Sequence, residues 1–157
     1  MMKAGGLRRA STAGVLALLV AALGASIPGS SPTPASQASL EGAATNLARM
    51  WERGSIDVFV QVLVARGIRL RVGGEDHVSL SRRQAVAVLR DYLAGHRTES
   101  TRLERVAEVG GSPLQGYAAL RWTVIHEGAS QLVEHSIYVG FVREDEVWRV
   151  FEVRVLQ

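Results

Sequence analysis

The sequence predicts an α+β domain in which helices come first and an antiparallel β-sheet follows. The strongest observation is the stretch from Gly116 to Leu156, which contains three runs with strand character, GYAALRWTVIH, QLVEHSIYVGFV and EVWRVFEVRVL, joined by short polar turns. Two upstream segments, beginning near Leu40 and after Ser81, carry apolar residues at helical spacing instead. We therefore expect the upstream helices to cover one face of a sheet built mainly from the end of the chain.

Residues 1–26 have the pattern of a secretory signal peptide. Lys3, Arg8 and Arg9 precede an unbroken apolar run, Ala13–Ala25, and small residues follow it. The run is shorter than the roughly twenty apolar residues that a comfortable membrane span needs. We therefore expect an exported protein, periplasmic or extracellular, with no stable membrane span once the leader is removed.

Residues 27–38 are rich in Pro and Ser and carry no charge, which is typical of a flexible tether. Cleavage is expected after Ala25, after Ser26 or, within the tether, after Ala38; an uncleaved N-terminal anchor is the alternative. The remaining residues, 39–157, are numerous enough for one domain with its own core.

The charge and the cysteine content of the chain argue against some classes of partner and chemistry. The chain has 18 Lys and Arg against 15 Asp and Glu, and three of the basic residues lie in the leader, which has no acidic residue. The rest of the chain is therefore neutral overall, so no nucleic-acid partner is expected. The absence of cysteine excludes disulfides and thiolate chemistry.

Four local patterns predict the upstream elements. An apolar stripe starts a helix at Leu40, which Gly54 should end. Ser55 reads as the N-cap of a second helix over Ile56–Ala65, although this β-branched segment also fits a buried strand. Ile68–Val72 is a short strand closed by Gly73-Gly74. A third helix begins with a capping box of Ser81 and Gln84 and ends at Gly95. Thr98–Val109 is charged on much of both faces and is predicted to be an edge strand.

The turn Glu127-Gly128-Ala129-Ser130 sets the register of the next hairpin, because Gly at the first central position is typical of a two-residue type II′ turn. Pairing outward from Glu127 and Ser130 places Trp122 opposite His135. The apolar residues of both strands then share one face, as expected of a hairpin with one buried side.

The register of the last hairpin is less well determined. A three-residue loop places Phe151 and Val153 beside Val139 and Ile137, whereas an even-numbered loop brings Glu152 and Arg154 towards Ile137 and His135. The first arrangement buries more apolar surface and is the one we predict.

The element order, the corner Met50–Asp57 and the final pattern Gly140–Val150 resemble the nuclear transport factor 2-like, or cystatin-like, superfamily in an exported bacterial form. The resemblance covers 39–157. It implies a curved antiparallel sheet that forms a cone, with about three N-terminal helices packed on its concave face around a pocket. The superfamily includes isomerases, dehydratases and cyclases that use pocket acids, binding domains without catalysis, and sheet-to-sheet homodimers.

His135 is the sharpest candidate for chemistry, because it is a titratable group on an otherwise apolar sheet face beside Trp122. It would act as a general acid or base, with Trp122 stacking a flat substrate, or it is a histidine at the edge of the core. Tyr92 belongs to an apolar helix stripe and either lines a pocket or fills the core. These three residues form the predicted binding site, and none is assigned as catalytic.

The other histidines, His77, His96 and His126, lie near turns and a helix end, where we expect them to be solvated. No two histidines have the helical spacing of a zinc site, and no calcium-loop pattern occurs, so neither a metal nor a cofactor is expected.

The functional hypothesis is an exported, non-catalytic domain that binds a small apolar or aromatic ligand or a protein partner, as a homodimer through the polar face of its sheet. The alternative is a small isomerase, dehydratase or hydrolase that uses His135. A third alternative is a structural subunit whose own side chains fill the pocket.

Overall fold

A computed structural model describes residues 39–65 and 67–157 of the chain. The expected signal peptide, 1–26, and the expected tether, 27–38, lie outside the described residues. No described helix combines the length and the apolar character that crossing a membrane requires. The described chain forms an α+β domain with helices on one face of a curved, open sheet, as the sequence predicts.

Three helices precede or interrupt the strands: α1 Leu40–Glu52, α2 Ile56–Phe59 and α3 Arg82–Ala94. The Ser39 side chain accepts a hydrogen bond from the Gly42 amide and so caps α1. The predicted capping box of α3 is present, since Ser81 accepts from the Gln84 amide and Gln84 from that of Ser81.

The second helix is shorter than predicted. The sequence indicated a helix over Ile56–Ala65 capped by Ser55, but α2 ends at Phe59 and the Ser55 side chain makes no capping bond. Beyond α2, Leu63 forms a parallel bridge with Val150. Residues 60–62 form turns, and only Leu63 and Val64 then run alongside Val150, with the Val64 amide donating to the Val150 carbonyl. The alternative of a buried strand therefore describes only the end of this segment.

Six strands form the sheet: β1 Ile68–Val72, β2 Glu75–Leu80, β3 His96–Gly110, β4 Gln115–His126, β5 Leu132–Glu144 and β6 Val147–Leu156. Their order is β2-β1-β6-β5-β4-β3. The β1–β6 pair is parallel, so the sheet is mixed rather than wholly antiparallel as predicted. β2 was not predicted, because the glycine pair before it indicated a loop that included His77.

The hairpin between β4 and β5 has the predicted register. Trp122 pairs with His135, and their neighbours follow in step. The turn itself differs, because its hydrogen bond joins the Ala129 amide to the His126 carbonyl and places Gly128 in the third position with φ of 77°. A shift in turn position therefore left the side-chain faces unchanged.

The predicted three-residue loop of the last hairpin is wrong. β5 ends at Glu144 and β6 begins at Val147. The two residues between them, Asp145 and Glu146, have φ of 49° and 63°. Positive φ at both central positions is the geometry of a tight hairpin turn.

A bulge beside Gly140 then shifts the pairing, so that Val153 faces Val139 rather than the predicted Ile137. Gly140 makes room for the extra residue, since a Cβ there would lie 2.8 Å from the ring of Phe151. The buried face remains apolar through this bulge and not through the loop length.

The core lies between the helices and the concave face of the sheet. It includes Trp51 of α1, Leu89 of α3 and Trp122 of β4, all completely buried. The pairing of β3 with β4 is interrupted at three points, and such bulges bend a sheet. β3 begins directly after Gly95, the residue that ends α3, and the Glu127 amide just beyond β4 donates to the Gly95 carbonyl. The first residues of β3 and the last of β4 therefore lie at the C-terminal end of α3.

Candidate functional site

The three residues predicted to bind a ligand lie together, Tyr92 on α3 and Trp122 and His135 on the sheet that the helix covers. The Trp122 ring centroid is 5.4 Å from that of His135 and 6.0 Å from that of Tyr92. Trp122 is completely buried, and its indole N–H donates to the Thr98 hydroxyl at 2.9 Å. Its packing is that of a core residue, so a ligand that stacked on Trp122 would have to displace its neighbours.

His135 is 2% exposed, and neither of its ring nitrogens makes a hydrogen bond of normal distance and angle among residues 39–65 and 67–157, although the ring contacts the Leu156 backbone. A neutral imidazole carries one donor and one acceptor, and leaving either group unpaired in the interior costs free energy. A core histidine held by one hydrogen bond was the simpler expectation for this position. The observed histidine instead has unused hydrogen-bonding and ligating capacity.

His96 and His126 complete a group with His135, which we call the histidine cluster. Ring centroids are 4.7 Å apart for His96 and His126, 5.6 Å for His126 and His135, and 6.2 Å for His96 and His135. One ring nitrogen from each residue lies within 4.8 Å of those of the other two. The expectation that His96 and His126 are simply solvated is therefore wrong, because both are half-buried and packed against another histidine.

The orientation of His96 is fixed by α3. Its Nδ1 lies 2.7 Å from the carbonyl oxygen of Tyr92, four residues earlier in the last turn of the helix. A carbonyl only accepts, so Nδ1 carries the proton and donates it. In the neutral ring Nε2 then keeps its lone pair free for a ligand.

Burial and neighbouring imidazoles favour the neutral forms of His135 and His96. Burial lowers the pKa of His135, and the neighbouring His126 and His96 lower it further, while the polar contact with the Leu156 backbone raises it. Burial also lowers the pKa of His96, against the effect of its hydrogen bond to Tyr92. In the described part of the chain no carboxylate joins the group of ligating side chains.

Tyr92 connects this interior to the surface. Its ring is half-buried, burial raises the pKa of its phenol, and the same residue lines a cleft of about 330 Å³ between α3 and the β1–β2 hairpin. His77 and Asp91 line the same cleft. Among the three predicted binding residues, Tyr92 thus lines the open cleft between α3 and the β1–β2 hairpin.

The opposite face of the sheet is polar, as predicted. Arg121 pairs there with Glu104 at 2.5 Å and lies 3.8 Å from Glu134. A shallow cleft of about 370 Å³ lies between Tyr117 and Tyr138 on this face.

The sequence contained one signal that would have found His126. It has the same strand parity as Trp122 and Val124, so the predicted hairpin register already placed it on the buried face. Its position next to a turn was given too much weight. His96 had no such signal, because its pairing with His126 depends on the bulged β3–β4 register.

Comparison with known proteins identifies the fold. No protein-family model matches the sequence, and no functionally curated protein matches it. Among solved structures, a DUF4783-family protein from Bacteroides uniformis shares 9% identity with a TM-score of 0.61, over 72% of this chain and 94% of that one.

Two further structures are similar. A hypothetical protein from Catenulispora acidiphila, with a ketosteroid isomerase-like fold and bound trimethylamine, shares 9% identity over 73% of this chain and 84% of its own, with a TM-score of 0.58. A protein from Jannaschia described as a SnoaL-like polyketide cyclase shares 20% identity over 82% of this chain and 90% of its own, with a TM-score of 0.54. At these identities the likeness shows fold alone: the chain has the nuclear transport factor 2-like fold.

Proposed function

We propose that this chain, with its nuclear transport factor 2-like fold, is an exported, non-catalytic domain that binds a small ligand at the histidine cluster. One observation carries the proposal: His135 is 2% exposed, and neither of its ring nitrogens makes a hydrogen bond of normal distance and angle within the described chain. Buried polar groups in folded proteins are nearly always paired. A partner that the chain does not itself supply would satisfy this one.

The composition of the cluster supports binding over catalysis. General acid–base chemistry needs groups of different proton affinity placed around the substrate. The cluster consists of three imidazoles, the pKa values of His96 and His135 are lowered, and no described carboxylate joins the group. Neutral imidazoles suit a ligand that they bind through hydrogen bonds or lone pairs.

The body of the ligand would lie in the cleft between α3 and the β1–β2 hairpin. Tyr92 faces the cluster on one side and a cleft on the other, with its ring centroid 4.6 Å from that of His96. An apolar or aromatic body against Tyr92, with a polar group on the imidazoles, is the ligand class that we propose.

The competing hypothesis is a small isomerase, dehydratase or hydrolase that uses His135. The fold of the Jannaschia and Catenulispora proteins is compatible with it, since related folds host both enzymes and binding domains. A buried histidine without an acidic partner argues for binding. Turnover of a cyclisable or enolisable substrate that is lost in His135→Leu, in a variant that folds normally, would establish the enzyme instead.

Export is part of the proposal and rests on the composition of residues 1–26. We expect the full chain, expressed in a bacterial host, to appear in the periplasmic or culture fraction with a new N-terminus after Ala25, Ser26 or Ala38. Recovery of only the intact chain from the cytoplasm would contradict export without bearing on the cluster.

The polar sheet face is the proposed homodimer surface. Tyr138 is 43% exposed beside the cleft on that face, and Leu156 is 40% exposed. Sedimentation of the wild type and Tyr138→Glu compares their masses in solution. A dimer that becomes a monomer in the variant supports this surface, whereas a monomeric wild type excludes it.

Native mass spectrometry of the gently purified full chain tests the binding function. The proposal predicts an added non-covalent mass on the wild type and on Thr123→Val, and its loss from His135→Leu. Thr123 is the control because it is a half-buried residue of β4 on the face of the sheet opposite to the cluster. A bare chain in every sample, or equal retention of the mass in His135→Leu, would contradict binding at the cluster.

A further inference from the structure

The geometry of the histidine cluster is close to that of a metal site. A tetrahedral zinc ion with Zn–N distances of about 2.0–2.1 Å holds its ligand nitrogens about 3.3 Å apart. The nitrogens of His96, His126 and His135 already lie within 4.8 Å of one another. The nitrogens would have to approach one another by at most about 1.5 Å to bind one ion.

The hydrogen bond of His96 supports this use of the cluster. Histidines that bind metals usually donate their other ring N–H to a carbonyl or carboxylate, which fixes the ring and its tautomer. His96 makes such a bond to the Tyr92 carbonyl at 2.7 Å. Its Nε2 is thereby left as the ligating atom.

His135 supplies an independent observation. Its ring is nearly inaccessible, and neither nitrogen makes a hydrogen bond of normal distance and angle in the described chain. A metal ion would take the lone pair of one nitrogen, and the N–H of the other would face the Leu156 backbone, which the ring already contacts. The half-buried His96 and His126 lie on the more accessible side, so an ion bound by all three would keep a position facing outward.

The electrostatic surroundings favour a cation. The cluster follows directly on the C-terminal end of α3, which carries partial negative charge on its last carbonyls. Three neutral ligands leave the double positive charge of the ion uncompensated, which favours an anionic or water ligand at the fourth position.

We propose that His96, His126 and His135 bind one Zn²⁺ ion, leaving a fourth coordination position for an outside ligand. Imidazole nitrogen is a preferred zinc ligand, and three protein ligands with one open position make an accessible site rather than a closed structural one. The inference rests on the proposed function, because the ion would be the group through which the cluster holds the small ligand. The histidines come from three strands, so the helical spacing sought in the sequence is absent.

Titration calorimetry of the chelator-treated full chain with Zn²⁺ tests the site. We expect one ion per chain with a Kd at or below about 1 μM. His126→Ala and His135→Leu should each weaken binding by about 100-fold or more. His77→Leu is the histidine control, because His77 is not one of the three proposed ligands, and it should bind Zn²⁺ as tightly as the wild type. Co²⁺ in place of Zn²⁺ should give the visible absorption of a tetrahedral site in the wild type and lose it in His126→Ala.

The outcomes separate this inference from the proposed function. Zn²⁺ binding that is absent, or equally strong in His126→Ala and His135→Leu, overturns the metal site. If an organic mass then remains on the metal-free wild type and is lost from His135→Leu, the binding function stands without zinc. If neither Zn²⁺ nor an organic ligand depends on the cluster, both proposals fail. The His126→Ala variant keeps the test decisive if His135→Leu does not fold.

Discussion

The Nδ1 of His96 lies 2.7 Å from the carbonyl oxygen of Tyr92. This bond joins the first residue of β3 to the last turn of α3, and it leaves the other nitrogen of the ring without a proton. A helix end thus determines the tautomer of a residue that sequence patterns would assign to the surface.

Two substitutions separate the two nitrogens of His96. His96→Asn places an amide near Nδ1 and should keep the bond to Tyr92, whereas His96→Gln places one nearer Nε2 and should lose it. We expect His96→Asn to retain the wild-type free energy of unfolding and His96→Gln to lose about 0.5–1.5 kcal/mol. Urea unfolding measures the difference, and equal stability of the two variants would contradict the assigned tautomer.

His135→Leu should leave the metal-free protein as stable as the wild type or more stable. The substitution removes a buried group whose unpaired polar atoms cost about 1–3 kcal/mol, and it replaces the ring by an apolar side chain of similar size. Ile137→Ala is the contrasting variant, since Ile137 is completely buried two residues along the same strand. Removing its side chain should cost about 2–5 kcal/mol.

Chemical denaturation of both variants after chelator treatment provides this comparison. A loss in His135→Leu as large as that in Ile137→Ala would show that His135 is a packing residue. In that case the argument from its unpartnered nitrogens would no longer hold.

Stability should fall at acid pH because of the cluster. The pKa values of His96 and His135 lie below the ordinary value of about 6.5 because of burial and neighbouring imidazoles. The unfolded chain therefore takes up these protons at higher pH than the folded one. The free energy of unfolding is then fully retained above about pH 6.5 and decreases as the pH falls from there through the lowered folded-state values.

Urea titrations of the metal-free protein at a series of pH values measure this decrease. In His135→Leu the decrease should be smaller, because one of the two groups with a lowered pKa is gone. An identical pH dependence in wild type and variant would contradict the assignment.

Trp122 should behave as a core residue. Trp122→Ala removes a completely buried ring and should cost about 3–5 kcal/mol. Thr98→Val removes only the acceptor of the indole N–H and should cost about 1–3 kcal/mol, since that donor is then left buried without a partner. Thermal and urea unfolding measure both effects, and a Trp122→Ala cost below that of Thr98→Val would argue for an unpacked, ligand-accessible indole.

Features decided by a few neighbouring residues could be predicted from the sequence. The capping box of Ser81 and Gln84, the strand Ile68–Val72 and the pairing of Trp122 with His135 depend on spacing and turn chemistry alone. The last hairpin could not be predicted, because the bulge at Gly140 arises from packing of Phe151 and not from the turn.

The candidate site was predictable only in part. Trp122 and His135 were found because both lie on one hairpin, and the parity of His126 would have added a third residue. His96 reaches the cluster through a long-range pairing between β3 and β4 that contains three register shifts. Sequence periodicity carries no information on such shifts, so the convergence of the histidines required the folded chain.

The most direct test of the central claim is an anomalous difference map at the zinc absorption edge, from crystals of the full chain grown with Zn²⁺. The account predicts one peak about 2.0–2.1 Å from a nitrogen of each of His96, His126 and His135, with the Tyr92 carbonyl still accepting from His96. A map with no peak among these three residues, or with zinc bound only at surface side chains such as His77, would contradict it.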